Sequence, residues 1–168
     1  MLLLPTRRRT WAPQGHTPII RYHYQHDRLS ALAVLTVSPK RQPMGLYVRC
    51  QPHNFQAADV ADFRRALLRP VRGPIIVLWD RGSIHRGPAI DAVRQAHPRL
   101  HVEEFPAYAP ELNPTEHVWN DFTGHTANSL PRDTRELRRS LRANPRRVCH
   151  SQAKLRSFIL SSKLPAPP

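Results

Sequence analysis

The chain has 168 residues, enough for one domain with a hydrophobic core, and no apolar run in it is long enough to cross a membrane. Its formal net charge is +14 at pH 7 with histidines neutral, which favours a polyanionic partner such as nucleic acid. Among the 26 basic residues only Lys40, Lys154 and Lys163 are not arginine, so a GC-rich coding sequence is an alternative source of the charge.

The order of apolar runs and turn residues predicts an α/β fold with a mixed sheet. Strands are expected at 29–37, 45–50, 75–80 and 101–105. Helices are expected at 54–68, at 88–96, from Pro114 onward, at 134–143 and at 145–162, with a frayed tail at 165–168. Asn54 is expected to cap the first helix, and the β-branched run 75–80 is typical of a central strand covered on both faces.

Asp80 ends this third predicted strand. Ligand and catalytic sites in open α/β sheets lie beyond the carboxyl ends of the strands, so Asp80 is a candidate site residue. The same position also suits an aspartate that merely caps the turn formed by Arg81, Gly82 and Ser83. Position alone leaves both interpretations open.

Glu116 stands in the first turn of the helix that follows the last predicted strand. Asn113 suits the cap of that helix and Pro114 its first position, and the prolines before them stiffen the loop that presents the glutamate. The helix dipole favours a carboxylate there. The alternative is that Glu116 only supports its own helix as part of a capping box.

Taken together, the two carboxylates predict a metal site more strongly than either one does alone. Carboxylate oxygens on adjacent elements suit hard divalent cations, so Asp80 and Glu116 are candidate ligands for Mg²⁺ or Mn²⁺. Such metals activate water and stabilise the leaving oxygen in phosphodiester cleavage. A basic surface beside them would hold the backbone of double-stranded DNA.

Two stretches, LWDRGSIHRG (78–87) and EEFPAYAPELNPTEHVW (103–119), resemble the DDE-type transposases of bacterial insertion sequences in the mariner superfamily. The similarity extends to RRTWAPQGHTP (8–18) and DRLSALAVLTVSP (27–39). It implies a ribonuclease H-like mixed sheet flanked by helices. It also implies DNA cleavage and strand transfer with Mg²⁺ or Mn²⁺ at transposon ends and target DNA. A cytoplasmic, nucleoid-associated bacterial protein is implied, and a homodimer of the full-length enzyme is left open.

The resemblance assigns roles residue by residue. Asp80 matches the second catalytic carboxylate and Glu116 the third. His85 matches a histidine that follows the second carboxylate, and the loop that presents the third is matched by Tyr108, Asn113 and Pro114.

The chain also departs from the family pattern. The family's first catalytic aspartate lies on a strand upstream of the segment that matches 2–18, which implies that residues 1–128 form an incomplete catalytic domain without its first strand. An isolated chain of this kind is expected to be inactive. A lysine common in the family near the start of the final helix is absent from 120–124, which implies weaker DNA contact.

Residues 129–168 are expected to form a basic helical extension of the same domain. On a helix, one side would carry Arg135, Arg138, Arg139 and Arg142, with Leu137 and Leu141 facing away. This side would track a phosphate backbone, or it is simply a solvated basic face.

The function favoured by these observations is that of a DDE transposase catalytic-domain fragment. Two alternatives remain. The chain is a non-catalytic DNA-binding remnant of a transposase, or it is a basic nucleic-acid-associated protein whose acidic pair is structural.

Overall fold

A computed structural model describes residues 11–16, 29–40, 43–126 and 134–164. The predicted α/β class is confirmed, with small sheets flanked by five helices, an arrangement consistent with the ribonuclease H-like fold. The strands are β1 (Ser30–Val37), β2 (Met44–Gln51), β3 (Ile75–Trp79) and β4 (Leu100–Glu104). The helices are α1 (Ala57–Leu68), α2 (Pro88–Ala96), α3 (Pro114–Thr126), α4 (Thr134–Cys149) and α5 (Gln152–Ser161). The predicted frayed tail at 165–168 lies outside the described residues. None of the described helices is long and apolar enough to be a membrane span.

The four described strands pair in two separate sheets. β1 and β2 form an antiparallel hairpin in which Ser30 faces Gln51 and Val37 faces Met44. β3 and β4 are parallel, a pairing that the crossover through helix α2 makes possible, and Trp79 at the end of β3 faces Glu104. No described strand hydrogen-bonds to both β1 and β3, so antiparallel and parallel pairing occur in different sheets.

Two hydrophobic clusters hold these sheets. In the first, which we call the hairpin core, Met44 and Leu46 of β2 pack with residues of α3, α4 and α5 such as Phe122, Val148 and Leu155. The second, the parallel-pair core, packs β3 and β4 against α1 and α2. β1 serves both clusters, because successive residues of a strand point to opposite faces: Ala33 and Leu35 pack on the first cluster and Leu32 on the second.

The expectation that the third strand is covered on both faces is wrong. Ile75 and Val77 pack in the parallel-pair core, but Ile76 is 70% exposed and Leu78 is 44% exposed on the other face of β3. The physical reason is the placement of the helices. α1 and α2 cover one face of β3, whereas α3, α4 and α5 are committed to the hairpin core.

Helix α1 begins later than the sequence suggests, and Asn54 does not cap it. Gln56 is the N-cap residue, and Asp59 three positions on accepts the Gln56 backbone N–H at 2.9 Å, as in a capping box. At the other end, Arg99 donates to the carbonyl oxygen of Leu68, the last residue of α1, and to those of Val71 and Gly73 just after it. The last carbonyls of a helix have no partner within the helix, and Arg99 supplies one here. It thereby links the end of α1 to the start of β4.

The predicted break between two C-terminal helices at Pro145 is also wrong. α4 continues through Pro145 to Cys149, and α5 begins after Ser151, whose Oγ accepts from Lys154 N at 3.2 Å. Val148 is fully buried, and Cys149 Sγ donates to Leu46 O at 3.1 Å. These contacts hold the turn after Pro145 on β2, and we infer that they offset the backbone hydrogen bond that a proline loses.

Candidate metal-binding site

Asp80 directly follows β3, and its side chain is 65% exposed. Its Oδ1 accepts the backbone N–H of Gly82 at 2.9 Å and lies 3.3 Å from His85 Nε2. The turn-capping role considered above is therefore present, and it engages only one of the two carboxylate oxygens. Among the described residues Oδ2 has no hydrogen-bond or ion-pair partner, so it is open to a cation.

Gly82 allows the close approach of the turn to this carboxylate. A Cβ at position 82 would lie 2.9 Å from Asp80 Oδ1. The backbone angles of Gly82 are ordinary, with φ −57° and ψ 142°, so glycine is required here by space and not by backbone conformation.

Replacing Gly82 with alanine is expected to displace the Asp80 carboxylate while changing the free energy of unfolding by less than about 0.5 kcal/mol. The carboxylate is the exposed end of a short side chain, so it can rotate away from the new methyl group at little cost. Mn²⁺ titration followed by NMR should then lose the line broadening near residue 80. Ser83→Ala in the same turn is the matched control. Parent-like Mn²⁺ broadening in Gly82→Ala would show that the carboxylate position does not matter.

His85 lies in a short 3₁₀ turn, Ser83–His85, and its side chain is 13% exposed. The imidazole stacks on the indole of Trp79, with ring centroids 5.1 Å apart and planes 11° from parallel. Burial lowers the pKa of His85, and the opposing attraction of Asp80 is the smaller effect. At neutral pH the imidazole is therefore neutral, and its Nε2 lies beside Asp80 Oδ1 in a close polar contact.

Arg64 also belongs to this site, although none of the sequence motifs includes it. It lies on the buried face of α1, with its Cζ 3.6 Å from the centroid of the Trp79 ring and its Nη2 3.3 Å from His85 Nδ1. A signal was present in the sequence. Val60, Arg64 and Leu68 are spaced by four, so a cation interrupts the apolar stripe of the helix.

Glu116 is exposed in the first turn of α3, where the sequence placed it. Asn113 Oδ1 accepts from Thr115 N at 3.1 Å and from Thr115 Oγ1 at 2.7 Å, so Asn113 caps the helix and Pro114 is its first residue. The alternative capping box does not form, because the Asn113 N–H donates to Pro110 O at 3.0 Å and not to Glu116. The Glu116 carboxylate has no hydrogen-bond or ion-pair partner among the described residues.

The loop that leads to Glu116 is stiff and anchored. Phe105 N donates to Trp79 O at 2.8 Å, which carries the parallel pairing past the end of β4. Tyr108 has φ 58° and is fully exposed, an uncommon backbone conformation for a bulky residue. Beyond a 3₁₀ turn at Pro110–Leu112, Glu111 O accepts from Lys163 N at 2.9 Å, so the chain after α5 holds this loop from outside.

Asp80 and Glu116 thus follow adjacent strands of one parallel pair, but no direct contact joins them. Within residues 11–16, 29–40, 43–126 and 134–164 no group of three or more His, Cys, Asp or Glu side chains is placed to hold a metal ion. Each carboxylate does have an oxygen open to a hard cation, so the donor chemistry fits Mg²⁺ or Mn²⁺.

The predicted basic side of α4 is exposed or half-buried where the structure describes it. Arg135 and Arg139 are exposed, Arg138 is half-buried, and Leu137 is buried in the hairpin core on the opposite side. The side chain of Arg142 lies outside the described residues. The backbone of α4 includes residue 142, so the helical spacing of the four arginines holds.

A comparison with protein families found one match. A family model described as DDE superfamily endonuclease matches residues 3–138. The matched region contains Asp80, His85, Asn113 and Glu116. No curated protein matches the chain.

Proposed function

Because the chain belongs to the DDE superfamily of endonucleases, we propose that it acts on DNA through a divalent metal held by Asp80 and Glu116. The reaction is the cleavage and strand transfer that move an insertion sequence. The observation that carries this proposal is the matched pair of open carboxylates. Asp80 Oδ2 and the Glu116 carboxylate have no hydrogen-bond or ion-pair partner among the described residues. In contrast, Asp80 Oδ1 is contacted by Gly82 N and His85 Nε2, and Asn113 Oδ1 accepts from Thr115 N.

A Mg²⁺ or Mn²⁺ ion, when bound, supplies a Lewis acid that activates water and stabilises the leaving oxygen of a phosphodiester. The chain's own residues prepare its ligands. The Gly82 N–H donates to Oδ1 of Asp80 and His85 Nε2 lies 3.3 Å from the same oxygen, which leaves Oδ2 for the ion. The Asn113 cap and Pro114 fix the start of α3 and so limit the positions that Glu116 can take. The basic side of α4 holds the DNA backbone.

A second candidate is a DNA-binding protein of the same superfamily that does not cut. It is favoured by one observation: no group of three candidate ligands occurs in the described part of the chain. Hard cations prefer more charged oxygens than two carboxylates provide, so this candidate predicts weak metal binding and no cleavage.

Mn²⁺ titration of ¹⁵N-labelled protein tests the metal site. We expect the amide signals of residues near Asp80 and Glu116, such as Gly82 and Thr115, to broaden before others, because Mn²⁺ relaxes nearby protons. The double variant Asp80→Ala, Glu116→Ala should lose this pattern. The double variant Asp62→Ala, Asp91→Ala removes the same charge from exposed positions on α1 and α2, and it should keep the pattern. If the Asp80, Glu116 double variant titrates like the parent, the acidic pair is structural and the metal proposal fails.

A further inference from the structure

Within the described part of the chain, Arg64 is a buried cation without a counter-ion. The residue is 7% exposed, no carboxylate pairs with it among the described residues, and its Nη1 has no hydrogen-bond partner there. Removing a guanidinium from water is costly, and an apolar side chain of similar length would pack on α1 more cheaply. The face of Trp79 offsets part of this cost through a cation–π contact at 3.6 Å. The remaining polar contact of the guanidinium is with His85, and it indicates the role of the buried charge.

The contact between Arg64 and His85 determines which ring nitrogen carries the proton. Burial, and secondarily the charge of Arg94, lower the pKa of Arg64 to about 10, so at neutral pH the guanidinium is still protonated and only donates. Its Nη2 lies 3.3 Å from His85 Nδ1, which must therefore accept. A neutral imidazole has one N–H, which then sits on Nε2, the atom 3.3 Å from Asp80 Oδ1.

We propose that Arg64 is a positioning residue for Asp80, acting through His85: it holds the imidazole in the Nε2–H tautomer and so places the ring proton on the nitrogen that lies 3.3 Å from Asp80 Oδ1. The proposal rests on the function proposed above, in which Asp80 is a metal ligand. It adds a three-residue relay that begins on α1 and ends at the carboxylate after β3. Trp79, the last residue of β3, stacks with the imidazole and lies under the guanidinium, so it sets the plane of both groups.

This tautomer suits the binding of a divalent cation. The Gly82 N–H bond and the imidazole nitrogen 3.3 Å away both favour one position of Oδ1, so Oδ2 has a preferred direction. Residues that orient metal ligands in this way commonly change metal affinity by about ten- to a hundredfold when they are replaced.

The test uses Arg64→Met, which removes the donor and keeps an unbranched apolar stem. Arg65→Met is the matched control, since it removes the same charge at an exposed neighbour that pairs only with Asp62 on the surface. Long-range ¹H–¹⁵N correlation spectra report the tautomer of His85 without any metal. Mn²⁺ titration and thermal melting of the same samples report ligand positioning and stability.

In the parent and in Arg65→Met, His85 should show one tautomer with the proton on Nε2. In Arg64→Met the two ring nitrogens should shift toward each other as both tautomers become populated. Mn²⁺ binding near Asp80 should weaken by about tenfold. The melting temperature should stay the same or rise, because an unpaired buried charge has been replaced by an apolar group. A merely structural Arg64 predicts the opposite: a lower melting temperature with an unchanged tautomer.

The outcomes separate the two proposals. A parent His85 that carries its proton on Nδ1 overturns the relay without any variant. So does an Arg64→Met spectrum whose His85 nitrogens match the parent. If the parent shows the Nε2–H tautomer and loses it in Arg64→Met, but Mn²⁺ does not bind near Asp80 in either, the relay stands and the metal function proposed above fails.

Discussion

Binding of the chain to duplex DNA is expected to weaken about 150-fold as monovalent salt rises from about 50 to about 200 mM. The expectation follows from the proposed role of the basic side of α4, with one phosphate contact each for Arg135, Arg138, Arg139 and Arg142. Each phosphate neutralised releases condensed counter-ions, so four contacts give a logarithmic slope of about −3.6. Fluorescence anisotropy with a labelled duplex, repeated with an unrelated sequence, measures both the slope and the low sequence preference that phosphate contacts imply.

A charge-matched pair of variants separates a local DNA surface from a general effect of the +14 net charge. Replacing the four α4 arginines with glutamine should flatten the salt slope almost completely. Replacing four exposed arginines elsewhere with glutamine, namely Arg65, Arg69, Arg72 and Arg94, should leave the slope nearly unchanged. Equal slopes for the two quadruple variants would mean that the basic side of α4 is only a solvated face.

Replacing Asp121 with alanine is expected to lower the free energy of unfolding by about 2–3 kcal/mol. The Asp121 side chain is 8% exposed and lies on α3, the helix that presents Glu116. Its Oδ1 is 2.7 Å from Lys154 Nζ of α5, and its Oδ2 is 3.1 Å from Arg147 Nη2 of α4. One carboxylate therefore ties three helices together. Because the two cations remain partly exposed and can be hydrated again, the cost should fall below that of breaking a fully buried pair.

Urea unfolding of the parent and three variants checks this expectation. Asp121→Asn keeps the shape and part of the hydrogen bonding, so its loss of stability should be smaller than that of Asp121→Ala. Asp62→Ala breaks an exposed ion pair with Arg65 and should cost less than about 1 kcal/mol. If Asp121→Ala costs no more than Asp62→Ala, the packing of the hairpin core holds α3 in place without the carboxylate.

Much of this protein could be predicted from the sequence because it depends on residues close together in the chain. The position of Asp80 at the end of a strand followed from a β-branched run and the turn after it. The capped start of α3 followed from Asn113 and Pro114, and the structure shows the predicted hydrogen bond. Strand periodicity and helix capping depend on residues only a few positions apart, so both can be recognised in the sequence.

Contacts between distant parts of the chain were decided only in the tertiary structure. The relay from Arg64 to Asp80 depends on α1 packing against the end of β3, which brings residues 64 and 85 within hydrogen-bond distance. The exposed face of Ile76 and Leu78 and the passage of α4 through Pro145 likewise depend on which surface each helix covers. A local pattern states that a face is apolar or that a proline disfavours a helix. The free energy of packing the whole chain determines which helices and strands meet. It also determines whether their contacts outweigh such a local preference.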